Sequence, residues 1–266
     1  MKNELSCFEA ENIAYWTDRA SGYSEVNQSE LKSSQQAVWG ATLAKYIEEH
    51  HSDKNLEATQ VLDVGTGPGF FAIVMAQKGY PVTAVDYTHS MLKEAGNNAG
   101  TLAAKISFQK MNAEELTFPD NSFEVIVTRN LTWNLPNPEK AYRQWERVLK
   151  PGGLLLNFDA NWYNYLYSHA ARKGYLQDRE NIKSAGVNNE TDGTDIPAME
   201  AIAYQAPLSS KLRPDWDVNF LADLGMRATA DTEIWQTVWT EEEKINNAST
   251  PMFLIRAIKA TTDLNS

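Results

Sequence analysis

Cysteine is nearly absent: Cys7 is the only one among 266 residues. That excludes an intrachain disulfide framework and a cysteine metal cluster. Positive charge is also scarce. Lys and Arg number 24 against 35 Asp and Glu, a formal net charge of −11. Such a surface repels a phosphate backbone, and no basic run offsets it, so nucleic acid is not an expected partner. No apolar run approaches the length of a bilayer span, and residues 1–10 lack the apolar centre of a secretory signal. The expectation is a cytoplasmic protein with no membrane partner. Four histidines are present: His50, His51, His89 and His169. None is spaced with another histidine or an acid as metal ligands are, so no metal is expected. His50 and His51 read as solvated linker residues and His89 as exposed.

What remains is the composition of a soluble globular chain, with 42% hydrophobic and 22% charged residues. The length suits one domain with an insertion. Residues 8–50 read as helical, with Ala37, Val38, Ala41, Ala44, Tyr46 and Ile47 forming an apolar stripe at helical spacing. After a polar stretch at 50–58, strands alternate with helices. Strands are expected at 61–64, 82–85, 106–111, 123–128 and 154–158. Helices are expected after Phe70, after a Thr88 cap and after Asn137-Pro138, the last ending at Pro151-Gly152-Gly153. That rhythm implies a parallel sheet covered on both faces. Residues 160–212 break it. They show no clear period and mix Trp162, Tyr163, Tyr165 and Tyr167 with a polar tract at 188–195, as a lid or binding loop would. A helix at 216–224 and strands at 227–234 and 252–258 follow, with Glu241-Glu242-Glu243-Lys244 in the linker. The expected segments are 1–57 (N-terminal helices), 58–160 (core), 161–212 (lid insertion) and 213–266 (end of the core sheet).

The central motif is Asp63-Val64-Gly65-Thr66-Gly67-Pro68-Gly69 at a strand-to-helix junction. Glycines there allow positive φ and close approach of a ligand. The spacing is G-x-G-x-G, whereas dinucleotide enzymes use G-x-G-x-x-G. Asp63, just before the glycines, would oppose a pyrophosphate. S-adenosylmethionine (SAM) has no phosphate and carries an ammonium and a sulfonium, so Asp63 suits it. Asp86, about 20 residues on, ends the second strand where an acid can accept bonds from both ribose hydroxyls. Tyr87 beside it is either an adenine contact or ordinary packing. Asn112-Ala113-Glu114 follows the third strand. Asn112 could accept from the adenine amino group and the Ala113 amide could donate to the ring, or the segment is a loop cap.

These anchors, in this order, resemble the class I SAM-dependent methyltransferases of the methyltransferase domain 11 type. The resemblance rests on residues 61–69, on Val85-Asp86-Tyr87-Thr88 with Met91-Leu92, on Asn112-Ala113-Glu114-Glu115-Leu116, on residues 123–127 and on Arg147-Val148-Leu149-Lys150-Pro151-Gly152-Gly153. It covers about residues 58–160. It implies an α/β, Rossmann-like seven-stranded sheet of order 3-2-1-4-5-7-6 with the seventh strand antiparallel. It also implies SAM as cofactor, S-adenosylhomocysteine (SAH) as product and a small-molecule acceptor. Cofactor-binding candidates are Tyr15, Tyr23, Asp63, Gly65, Thr66, Gly67, Gly69, Asp86, Tyr87, Met91, Asn112, Ala113, Glu114 and Arg129. The family usually has Asp where this chain has Asn112, which keeps a carbonyl acceptor.

SAM carries an activated leaving group, so a methyltransferase mainly positions two reactants and need not display a catalytic triad. Catalytic candidates follow the fourth and fifth strands: Asn130, Trp133 and Asp159, with His169 as the one histidine considered as a base. The aromatic, amide-rich mouth suits an amine or an aromatic acceptor, although Trp133 and Trp162 read equally well as packing. Three other readings compete. A nucleic-acid or protein methyltransferase should show a basic face or an Asn/Asp-Pro-Pro-aromatic tetrapeptide, and neither is present. A nicotinamide-dependent oxidoreductase is opposed by the glycine spacing and Asp63. A non-catalytic SAM-binding protein shares every anchor.

Overall fold

The computed structural model describes residues 6–51 and 55–261. Residues 1–5, 52–54 of the expected polar stretch and 262–266 lie outside. The N-terminal segment forms two helices, α1 (Cys7–Lys32) and α2 (Gln35–His50). A capping box starts α1: Ser6 accepts from the Glu9 N–H while Glu9 accepts from the Ser6 N–H.

The sheet contains β1 (Val61–Val64), β2 (Val82–Asp86), β3 (Ile106–Lys110), β4 (Phe123–Arg129), β5 (Leu149–Asp159), β6 (Arg227–Asp231) and β7 (Phe253–Ile258). Their order is β3-β2-β1-β4-β5-β7-β6. The first five strands pair in parallel, and β7 runs antiparallel to both β5 and β6. The four residues of β1 are all buried, as a central parallel strand requires. Successive residues feed opposite cores. Val61 joins Trp39, Leu43 and Phe71 on the face covered by α2 and α3 (Phe70–Lys78). Leu62 joins Tyr142, Trp145 and Leu221 on the face covered by α5 (Pro138–Val148) and α8 (Asp215–Asp223). Asn137 caps α5 by accepting the Lys140 N–H at 3.0 Å, with Pro138 at its first position. The chain leaves β1 toward α3 and reverses direction across the sheet between β1 and β4. The crevice at a strand-order reversal, outside the carboxyl ends of the strands, is where ligands bind in such sheets.

Several local expectations need correcting. The segment after β5 is largely helical. It forms α6 (His169–Ala185) and α7 (Ile196–Gln205), capped by the Ser168 and Asp195 side chains. Only Asp178 and Ile182 of α6 are buried, too few apolar anchors to show a period. The strand expected at 227–234 stops at Asp231. Ile234, 4% exposed, leads instead into α9 (Trp235–Val238). The charged run Glu241-Glu242-Glu243-Lys244 belongs to α10 (Glu241–Asn246), whose Thr240 and Glu243 form a second capping box. α5 ends at Val148, and Pro151-Gly152-Gly153 lies inside β5. Thr88 precedes α4 (His89–Ala99) without capping it, because its hydroxyl donates to Asp86. His51 is buried, and His50 Nε2 lies 2.8 Å from the Gly152 carbonyl, so neither is a solvated linker residue.

Candidate functional site

A cavity of about 730 Å³ lies over the ends of β1, β2 and β4, roofed by α1 and by α6, α7 and α10. The glycine turn forms its floor. Gly65, Gly67 and Gly69 all have positive φ, at 66°, 52° and 93°. A Cβ on Gly65 would sit 2.7 Å from Leu131, and one on Gly69 would sit 3.0 Å from Ala95. One on Gly67 would point toward Tyr23, 3.6 Å away, across cavity space. Two of the glycines therefore serve packing, and Gly67 serves the cavity.

Asp63 is 2% exposed and braces the turn. Its Oδ2 accepts from the Thr66 hydroxyl at 2.6 Å and the Ala72 N–H at 3.0 Å. Burial pushes its carboxyl up to about 7, against the pull of those two bonds. Asp86 accepts from the Gly67 N–H at 3.0 Å and from the Thr88 N–H and hydroxyl, each at 2.9 Å. Burial raises its carboxyl as well, and the same donors hold it down. A carboxylate has about four acceptor positions, so Asp86, which lines the cavity, keeps capacity for a ligand. Tyr87, Met91, Asn112, Ala113 and Glu114 line the same end. Asn112 Oδ1 accepts from the Glu114 N–H at 2.9 Å, and Glu114 Oε1 accepts from the Asn137 N–H at 2.6 Å. Both side chains thus shape the loop, which is the loop-cap reading of this segment.

Tyr15 and Tyr23 of α1 line the cavity, as does Arg129. The Arg129 guanidinium lies against Trp39, Phe70 and Phe71 and makes a two-pronged pair with Glu30 at 2.9 and 2.8 Å. Burial alone would lower its pKa, but the Glu30 carboxylate raises it, so the cation is secured. Glu30 has no motif around it. The signal for it was the spacing of Tyr23, Asn27 and Glu30 along one helical face.

The catalytic candidates separate. Asn130 and Trp133 line the cavity, and Asp159 and His169 do not. Asn130 has φ 56°, and its carbonyl accepts from Trp133 Nε1 at 3.0 Å. The Trp133 ring lies 4.9 Å from that of Tyr163. Asp159 is fully buried, where it accepts from the Trp133 and Ala160 N–H groups and pairs with Arg213 at 2.8 Å. Its contacts are those of a structural anchor, buried and off the cavity lining. His169 is exposed at the first turn of α6, outside the cavity. Among the described residues, no group of three or more His, Cys, Asp or Glu is placed to hold a metal.

Comparison with known proteins shows which family the chain belongs to. Residues 62–157 match the methyltransferase domain model. The ubiquinone biosynthesis O-methyltransferase of Coxiella burnetii (strain RSA 331 / Henzerling II) is 32% identical over 192 residues, covering 67% of this chain and 80% of that protein. The chain belongs to the class I SAM-dependent methyltransferases. The O-methyltransferase of the same description from Alkalilimnicola ehrlichii is 27% identical over 182 residues, 63% of this chain and 73% of that one. Among solved structures, the plantazolicin methyltransferase BpumL in complex with SAH covers 94% of both chains with a TM-score of 0.61 and 14% identity, a likeness of fold. This methyltransferase is therefore an enzyme that uses SAM and yields SAH, on a sheet of the expected strand order. No helix among its described residues is long and apolar enough to cross a membrane.

The residues present fit the cofactor. A Cβ on Gly67 would fill the gap between the turn and Tyr23, and the carboxylates of Asp63 and Asp86 line the same cavity, acids whose chemistry suits a cationic, hydroxyl-bearing group.

Proposed function

We propose that this methyltransferase acts on a small-molecule acceptor, held in the outer part of the cavity between Trp133 and the helical insertion. The observation that carries this reading is the size and lining of the cavity. At about 730 Å³, partly covered by α1, α6, α7 and α10, it has room for a small molecule beside a cofactor. Trp133, Met199 and Ile202 form a third apolar cluster with Tyr15, Trp16 and Tyr163, so the acceptor side has its own packed wall.

In this reading Asp86 takes a ribose hydroxyl, and Gly65, Thr66 and Gly67 admit the methionine portion. Tyr87, Met91 and Ala113 border the adenine, and Tyr15 and Tyr23 close over the cofactor from α1. When bound, SAM supplies an activated methyl group for in-line displacement. The chain's own work is to orient the acceptor atom and exclude water. Residues 161–212 form the acceptor-side unit and carry much of the substrate choice. Hydroxyl acceptors stand first because the Coxiella burnetii relative is an O-methyltransferase.

The test is SAH release with phenols, amines, thiols and carboxylic acids, each product checked by mass. Methylation of a small acceptor supports the reading. Stoichiometric SAM binding with methylation only of protein or nucleic-acid acceptors overturns it.

A further inference from the structure

We propose that the outer end of the cavity is a carboxylate subsite, in which Arg19 and Arg179 grip an acid group carried by the acceptor. This deepens the small-molecule reading above and rests on it. Both arginines line the cavity, Arg19 from α1 and Arg179 from α6. They converge on one turn. Arg19 Nη2 donates to Thr194 Oγ1 at 3.2 Å, and Arg179 Nη1 reaches Thr191 Oγ1 at 3.5 Å. The Thr194 N–H donates to the Thr191 carbonyl at 3.0 Å, which closes the turn between them.

Their remaining partners are neutral. Arg179 also donates to Asn189 Oδ1 at 3.1 Å and to the Asn246 carbonyl at 2.7 Å, and its Nε has no partner. Among the described residues, neither guanidinium has a carboxylate at salt-bridge distance. The third cavity arginine, Arg129, is matched by Glu30, and Arg172, Arg147 and Arg213 are likewise paired. Two guanidiniums on one turn, neither closed off by a salt bridge, leave a place for an anion.

The acids nearby are mostly engaged elsewhere. Asp178 Oδ2 accepts from the Ser249 N–H and hydroxyl, and Asp195 caps α7. Glu190 accepts from Asn247; burial pushes its carboxyl up to about 6 while the Arg179 charge pulls it down, so it faces Arg179 without forming a salt bridge. Their presence limits the charge the subsite tolerates. It suits the single charge of a carboxylate and repels a phosphate dianion.

Two features show that the forks are held. A Cβ on Gly22 would sit 2.5 Å from Arg19 Nη1, so in this conformation the guanidinium lies against α1, and a Cβ would make the arginine tip shift. Glycine weakens a helix interior, and here its missing Cβ is the space Arg19 uses. Arg179 lies over the Tyr175 ring at 5.0 Å, and Tyr165 stacks on Tyr175 at 4.1 Å. An arginine beside an aromatic platform matches an acid attached to a ring.

The test titrates hydroxyphenylacetate into the SAH-saturated full-length protein, beside hydroxyphenylacetamide, tyramine and phenyl phosphate. The acid is expected to bind at least about tenfold more tightly than the other three. Arg19→Gln should remove that preference, and Arg179→Lys, which keeps charge but loses the fork, should reduce it severalfold. Gly22→Ala should weaken acid binding with Arg19 still present, while circular dichroism and SAH affinity stay unchanged. Equal binding of acid and amide, tighter binding of tyramine or phenyl phosphate, or a preference that survives Arg19→Gln would each overturn the proposal. SAH release with a neutral acceptor alongside such a result would show that the carboxylate subsite had failed and the methyl-transfer reading had not.

Discussion

Asp159 Oδ2 accepts the Trp133 N–H at 2.9 Å and Arg213 Nη1 at 2.8 Å, so one buried oxygen ties the cavity wall to the far side of the sheet. Arg213 also holds Asp217 through Nε and Nη2, and Asp217 accepts the Tyr142 hydroxyl at 2.6 Å. Asn161 Nδ2 donates to the Arg213 carbonyl at 2.8 Å, which joins the two roots of the insertion. Trp133 is thus positioned by a charge cluster that is itself shielded from substrate.

Removing one member of such a cluster strands the others in a low-dielectric interior, at a cost of about 3–5 kcal/mol. Asp159→Ala should lower the unfolding free energy by roughly that amount in urea titration. A variant of native stability that lost only turnover, together with a limb of the pH–rate profile, would return Asp159 to the chemistry.

Asp63 predicts a pH dependence. Burial raises its carboxyl from 3.8 in the unfolded reference to about 7. Its stabilising contribution is therefore present below 3.8 and is lost as pH rises through about 7. Asp63→Asn can keep both bonds to Oδ2 through its amide oxygen, so it should gain stability relative to the native chain above that pH. SAM binding should run the other way. A net-positive cofactor favours ionised Asp63, so native affinity should rise on the order of tenfold between about pH 6 and pH 8, and the Asn variant should be flat. Calorimetry at the two pH values reads both trends. A flat native profile would separate Asp63 from cofactor charge.

The five parallel strands and the glycine floor were legible because their signals are local, and the strand order came only with the family resemblance that those signals carry. The five apolar runs, their spacing by helices and the G-x-G-x-G turn each fit within a few residues. The insertion was not legible. α6 buries only Asp178 and Ile182, so its helicity rests on the Ser168 cap and on contacts made far away in sequence. Asp159 was misplaced for a related reason. Its position at the end of a strand was correct, but its partners, Arg213 and Trp133, come from two other segments. Arg213 and Asp217 did carry an i, i+4 signal, which gives the pairing but not the burial. Glu30 and Arg129 are 99 residues apart, and no local pattern joins them.

Gly67→Val places a branched side chain at φ 52°, with its Cβ aimed at Tyr23. The backbone strain is about 1–2 kcal/mol, which a chain of this size should tolerate. SAM titration should show binding lost while circular dichroism stays native. Normal binding would mean that the cofactor does not pass over this glycine.

Tyr163→Ala tests the acceptor wall. The Tyr163 ring packs on Trp133 in the wall of the cavity. The expected result is an acceptor KM raised about tenfold or more with SAM affinity within a factor of two or three. Steady-state kinetics with calorimetry separates the two. A fall in SAM affinity with an unchanged acceptor KM would move Tyr163 to the cofactor side.

The most direct measurement is the calorimetric titration of SAM into the native chain and into Asp86→Ala. In the proposed reading, Asp86 is the residue on which the cofactor's orientation turns. It lines the cavity, holds the Gly67 N–H at 3.0 Å and retains acceptor capacity for the ribose. Each bond from a hydroxyl to a carboxylate is worth roughly 1.5–3 kcal/mol. The prediction is one-to-one binding by the native chain, weakened about 10- to 100-fold or more in a folded Asp86→Ala protein. Equal affinity in the two would contradict the placement of SAM and, with it, the acceptor site built beside it.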